Sequence, residues 1–190
     1  MSRIPAIDPA QSTGKQKDLL DAVTKKMGKA PNMMRVLANA PAALDGYLAF
    51  SGALGAGKLD AKTRERIALT VGEVNACNYC LSAHTAIGAM VGLDQQAIDD
   101  ARSAKASDGK TGAVLALART LVVNRGHLTD DELTTARSAG LDDGEILEVT
   151  ANVALNILTN YVNHVADTVV DFPEVAAASS ASCSTGCSTS

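Results

Sequence analysis

The sequence predicts a single all-α domain, and three of its features carry that prediction. Its 190 residues include 33 alanines and no tryptophan, and aromatics make up only 3% of the chain. That composition suits closely packed helices better than sheets, whose strands favour β-branched and aromatic side chains. Apolar residues recur with a period near 3.6, and no segment alternates over the length of a strand. Helix-start signals follow one another with little between them. A hydrophobic fraction of 46% against 20% charged residues excludes wholesale disorder and fibrous repeats, and the length suits one domain.

About eight or nine helices are expected. Thr13 with Gln16 three residues on makes a capping-box pattern ahead of a helix over 15–27. Pro31 and Pro41, residues tolerated in a first turn, open helices over about 31–39 and 41–55. The pair Leu-Asp then marks three entrances, at Leu59-Asp60, Leu93-Asp94 and Leu141-Asp142. There the Asp caps exposed amides and the Leu packs over the turn. The stretch 60–91 is read as two helices broken at Val74-Asn75-Ala76, since roughly 30 unbroken residues exceed the usual globular helix. Segments 108–124 and 129–139 read as two more, the latter opened by Thr129 with Glu132 and closed by Gly140. A long last helix carries a polar strip of Asn156, Asn160, Asn163 and His164. Glu145 and His164 repeat the spacing of Glu65 and His84, a weak echo of a duplicated helical pair. From Val175 onward the chain is mostly Ser and Ala. The domain is therefore expected over 1–174, followed by a flexible tail over 175–190 that holds Cys183 and Cys187.

Charge and cysteine usage narrow the function. With 17 basic and 21 acidic residues the net charge is −4, and no basic run could follow a track of phosphates, so nucleic acid is not an expected partner. Neither a secretory leader nor a membrane span is recognisable, which points to a cytoplasmic protein without membrane attachment. Four cysteines are too few for a disulfide scaffold, and they fall into two close pairs, Cys77/Cys80 and Cys183/Cys187. In a reducing compartment such pairs suggest redox or metal chemistry.

The first pair carries the sharpest chemistry. On a helix Cys77, Cys80 and His84 share one face, two thiols and an imidazole in a line. His84, one turn from Cys80, can take the thiol proton or stabilise the thiolate, which leaves Cys77 as the resolving thiol. Asn75 is the expected N-cap, with Cys77 in the first turn near the positive end of the dipole. Two carboxylates compete to complete a proton relay. Glu73 lies on the same stripe if the helix runs unbroken, whereas a break at Asn75 returns Glu65 beside His84. The break makes Glu65 the first choice. Zinc on Cys77, Cys80 and His84 would lack a fourth ligand at short spacing, so neither a metal nor another cofactor is expected.

The run Arg-Glu-Arg-Ile-Ala-Leu, then Asn-Ala-Cys-Asn-Tyr-Cys, then His84 and Gly88, resembles the carboxymuconolactone decarboxylase-like superfamily, in particular its alkylhydroperoxidase D branch. The likeness covers about residues 40–100. Downstream, Asn160-Tyr-Val-Asn-His164 and Asp171-Phe-Pro173 also look like its peroxidase-related members. The resemblance implies that Cys80 attacks a peroxide, Cys77 resolves, and Glu65 with His84 moves protons. It further implies an external dithiol reductant such as a lipoyl-bearing protein, and assembly into homotrimers or hexamers. One position departs from the pattern, because Tyr79 stands where well-studied members carry His. A phenol donates a hydrogen bond but takes no proton near neutral pH. True decarboxylases of the superfamily lack this cysteine pair.

The expected activity is thus a thiol-dependent reductase of peroxides, organic ones in particular. A general thiol–disulfide reductase of the same fold, a carboxymuconolactone decarboxylase-type enzyme and a non-catalytic helical module are the alternatives. His164 reads as a satisfied core or interface histidine, His127 as a loop residue and the methionines as core filler. Cys183 and Cys187 read as incidental thiols, with electron transfer to the Cys77/Cys80 disulfide as the alternative.

Overall fold

The computed structural model describes residues 2–178. Among these residues there is a single-turn 3-10 helix, Pro9–Gln11, and nine α-helices. In order these are α1 (Gly14–Met27), α2 (Asn32–Leu37), α3 (Pro41–Gly55), α4 (Ala61–Val74), α5 (Asn78–Met90), α6 (Gln95–Arg102), α7 (Gly109–Val123), α8 (Asp130–Ser138) and α9 (Asp143–Ala166). No strand occurs among the described residues, and no helix there is long and apolar enough to cross a membrane.

Side-chain oxygens cap five of these nine α-helices, four of them at the expected Asp60, Asp94, Asp142 and Thr129 and the fifth at Asp108. Asp60, Asp94, Asp108 and Asp142 each accept a hydrogen bond from the backbone N–H three residues on, at 2.7–2.8 Å. Thr129 with Glu132 and Asp142 with Glu145 complete reciprocal capping boxes. The first helix departs from expectation. Thr13 makes no side-chain cap bond, and Gln16 Nε2 instead reaches the Ala38 carbonyl at 2.9 Å. Gln16 is drawn away because Ala38 ends α2, where helix carbonyls lack intrahelical partners. Helix α2 is also shorter than expected, starting after Pro31 and ending at Leu37.

Helix α4 is the hub, packing on α5, α6, α7 and α9. One apolar cluster lies around its Ile67, Leu69 and Val71, with Leu115 of α7 and Val149 of α9. A second gathers Leu20 of α1, Met33 and Met34 of α2, Leu44 of α3 and the start of α5. Helix α5 straddles the two, with Leu81 in the first and Cys80 and Ala83 in the second. Both thiols of α5 and its approach thus sit between packed layers rather than on a loop. Leu115 has no exposed surface, so Leu115→Ala should lose about 2–5 kcal/mol of stability, measurable by urea unfolding.

The chain beyond residue 174 begins differently from the expected free tail. Val175 N donates to Ser82 Oγ at 2.8 Å, Ala177 N to Asn78 Oδ1 at 2.9 Å and Ala178 N to Glu73 Oε1 at 2.6 Å. Ala177 is buried. Three backbone donors satisfied by side chains of α4 and α5 hold 175–178 to the domain. Cys183 and Cys187 lie outside the described residues.

Candidate active site

The link between α4 and α5 fixes the two thiols. Helix α4 ends at Val74, and Ala76 takes a left-handed conformation (φ 51°). Asn75 does not cap α5 as expected. Its Nδ2 donates to Asn160 Oδ1 of α9 at 2.8 Å, and its carbonyl accepts from His164 Nε2 at 2.9 Å, so it is pinned sideways to α9. Cys77 is the N-cap instead, its Sγ accepting the Cys80 N–H at 3.3 Å. Cys80 therefore sits in the first turn of α5, where unpaired amides and the helix dipole favour a thiolate.

Cys77 and Cys80 form a disulfide, with Cα atoms 5.3 Å apart. They are 1% and 3% exposed. The two differ in what they face. Cys80 lines a cavity of about 540 Å³ that Cys77 does not reach. Met33 and Met34, expected only as core filler, form part of its apolar wall with Leu48, Ile87 and Phe172. Asn152, Asn156, Thr159 and Asn163 of α9 give it a polar side.

Glu65 and His84 meet across α4 and α5, with Glu65 Oε2 2.7 Å from His84 Nδ1. Both line the same cavity. A carboxylate on Nδ1 holds the imidazole in the tautomer that leaves Nε2 free to accept a proton. Glu73 is not brought to this pair. With the helix broken at Asn75 it leaves the stripe, and its carboxylate accepts from Arg102 Nε at 2.7 Å and from Ala178 N. The echo in α9 makes no second pair, since Glu145 accepts from Lys110 at 2.7 Å while His164 holds Asn75.

Tyr79 is a strut rather than an acid or base. Its hydroxyl accepts from Met33 N at 3.1 Å and donates to Asp171 Oδ1 at 2.8 Å, joining α5 to α2 and to the chain after α9. Burial pushes the phenol well above its ordinary 10.0, and the Asp171 carboxylate adds to this against the opposing Met33 N–H. Its ring meets Phe172 edge-on, with centroids 5.9 Å apart.

Two contributors, Tyr47 and the sulfur contact of Asn163, carry no local signal in the sequence, and Asp171 is marked only by the family likeness of Asp171-Phe-Pro173, with no role attached. Burial raises the Tyr47 phenol, and the charge of Glu65 raises it further. Asn163 belongs to a strip that helical spacing reveals, yet its contact with Cys80 joins residues far apart in the chain. No group of three or more His, Cys, Asp or Glu suited to a metal ion occurs among the described residues.

Residues 41–123 match the carboxymuconolactone decarboxylase family. An uncharacterized peroxidase-related protein from Ralstonia eutropha JMP134, described as an alkylhydroperoxidase AhpD core, superposes with a TM-score of 0.80 at 23% identity, over 90% of this chain and 92% of that one. An uncharacterized peroxidase-related protein from Silicibacter sp. TM1040 gives 0.76 at 22% identity, over 88% and 92%. The debrominase Bmp8, as a cysteine-to-alanine variant in complex with 2,3,4-tribromopyrrole, gives 0.76 at 15% identity, over 90% and 92%. No curated protein matches the chain in sequence. The segment from α3 to α7 is thus the part of the chain that is similar to the carboxymuconolactone decarboxylase family. The chain as a whole has the alkylhydroperoxidase D-like fold.

Proposed function

We propose that the protein is a thiol-dependent peroxidase that reduces organic hydroperoxides and is restored by an external dithiol. One observation carries the reading: Cys80, bonded to Cys77, opens onto a largely apolar cavity that also holds the Glu65–His84 pair. His84, oriented through Nδ1 by Glu65, takes the Cys80 proton. The thiolate attacks the terminal peroxide oxygen, the O–O bond breaks, and the leaving alkoxide recovers the proton from His84 as an alcohol. Cys77 displaces water from the Cys80 sulfenic acid and forms the disulfide. The apolar wall suits an organic rather than an inorganic peroxide.

A disulfide this buried is closed to a folded protein thiol, which weighs against a general disulfide reductase and favours a slender dithiol arm of the lipoyl type. Exposed Leu158, Tyr161 and Val165 on α9 support a homo-oligomer.

The test follows consumption of cumene hydroperoxide by the prereduced protein with a lipoyl dithiol in excess. His84→Gln and Glu65→Gln should each slow thiol oxidation by about 10²–10⁴-fold with the far-ultraviolet spectrum unchanged, and Glu73→Gln should leave the rate near wild type. Damage from Glu73→Gln but not Glu65→Gln would overturn the relay. Bromide release from 2,3,4-tribromopyrrole without peroxide consumption would replace the peroxidase by a dehalogenase.

A further inference from the structure

The mechanism above leaves Asn163 without a task, although it touches the reacting sulfur. Four polar residues of α9 face the cavity: Asn152, Asn156, Thr159 and Asn163. Three spend their donors on their own helix. Asn152 Nδ2 bonds the Glu148 carbonyl at 2.8 Å, Asn156 Nδ2 the Asn152 carbonyl at 2.8 Å and Thr159 Oγ1 the Asn156 carbonyl at 3.0 Å. Asn163 breaks the series and reaches across to α5, where its Nδ2 donates to Cys80 Sγ at 3.3 Å. Its side chain is buried, and its Oδ1 has no hydrogen-bond partner. Buried amide oxygens are ordinarily paired, and this one, on a residue that lines the cavity beside the reacting sulfur, is left to accept a donor that a ligand brings there. The reverse orientation of the amide would set an oxygen lone pair against the sulfur and repel a thiolate.

We propose that Asn163 is a catalytic residue that holds the Cys80 sulfur through its amide N–H and the terminal O–H of an organic hydroperoxide through its amide oxygen. This rests on the peroxidase reading. In the step concerned, an S–O bond forms as the O–O bond breaks. Cys80 is oxidised by two electrons to the sulfenic acid, and the hydroperoxide is reduced to the alcohol, its alkoxide protonated by His84. The hydrogen on the attacked oxygen is not transferred and ends on the sulfenic acid. A neutral amide that cannot change its protonation state suits that task. The Nδ2 contact stabilises the thiolate before attack, and the Oδ1 contact aims the oxygen at the sulfur. The substrate class is therefore a hydroperoxide with a free O–H and an apolar body that fits against Met33, Met34 and Phe172.

Two readouts on the reduced full-length protein separate the contacts. Alkylation of Cys80 by iodoacetamide across pH, read by mass spectrometry, reports the thiolate without any peroxide. Single-turnover oxidation by cumene hydroperoxide reports the substrate contact. The charged and titratable groups facing the cavity are Lys26, Tyr47, Arg64, Glu65, Tyr79 and His84. All are common to wild type and variants. Asn163→Leu, and the isosteric Asn163→Asp should folding suffer, are expected to raise the alkylation midpoint by about one pH unit or more. Oxidation should slow by about 10²-fold. Above all midpoints alkylation rates should converge, while oxidation of Asn163→Leu stays at least about tenfold slow.

An unchanged midpoint in both variants overturns the sulfur contact. Oxidation rates that converge along with alkylation overturn the hydroperoxyl contact. Wild type that alkylates at Cys80 yet resists peroxide overturns the peroxidase reading and with it the hydroperoxyl contact. The midpoints alone then decide the sulfur contact.

Discussion

Replacing Cys80 with Ser is expected to abolish peroxide consumption and leave no dimedone-reactive species after peroxide treatment. The argument is one of chemistry and access. A serine hydroxyl stays protonated where a thiol in the first turn of α5 ionises, so neither the helix terminus nor His84 can supply an equivalent nucleophile. Cys77 is not expected to take over, because its sulfur caps α5 and does not line the cavity. Dimedone labelling of Cys77 in Cys80→Ser at the wild-type oxidation rate would sink the assignment of the attacking thiol.

Cys77→Ser is expected to stop catalytic turnover while Cys80 still reacts once, so that dimedone now traps its sulfenic acid. Fold disruption is not the cause expected here. Serine is among the best N-cap residues, and its oxygen can accept the Cys80 N–H that the Cys77 sulfur now accepts. What disappears is the resolving thiol. The measurement pairs a single-turnover dimedone count with a multiple-turnover assay in excess dithiol. Turnover at the wild-type rate would show that the external dithiol resolves Cys80 directly and that Cys77 is dispensable.

The residues that could be read in advance are those whose partners lie within a turn or two. The caps Asp60, Asp94, Asp142 and Thr129 act three residues along, and each appears where expected. The Glu65–His84 contact was legible for a different reason. A length argument broke the helix at Asn75, and the break returns Glu65 to α5. Where a side chain had a competing partner elsewhere in the fold, local reasoning failed. Gln16 goes to Ala38, Asn75 to Asn160 and Glu73 to Arg102. Residues 175–178 were read as tail because their anchors are backbone N–H groups, which every non-proline residue carries and no composition reveals. Tyr79 was legible only as a departure, standing where well-studied members of the family carry His, since its role depends on Asp171, which follows α9.

Glu65, Cys77, Cys80 and His84 all fall inside 41–123, the segment similar to the carboxymuconolactone decarboxylase family. Much of what surrounds them in the cavity does not: Met33 and Met34 precede it, and Asn152, Asn156, Asn163 and Phe172 follow it. On the peroxidase reading, reactivity and selectivity are written in separate stretches of one polypeptide. On that same reading, changes in α2, α9 and the residues after it would alter which guest the chamber takes and leave the dithiol and its proton relay in place. Protein engineers have the same freedom, since exchanging those flanking segments between homologues would retarget the chamber without rebuilding its reactive centre.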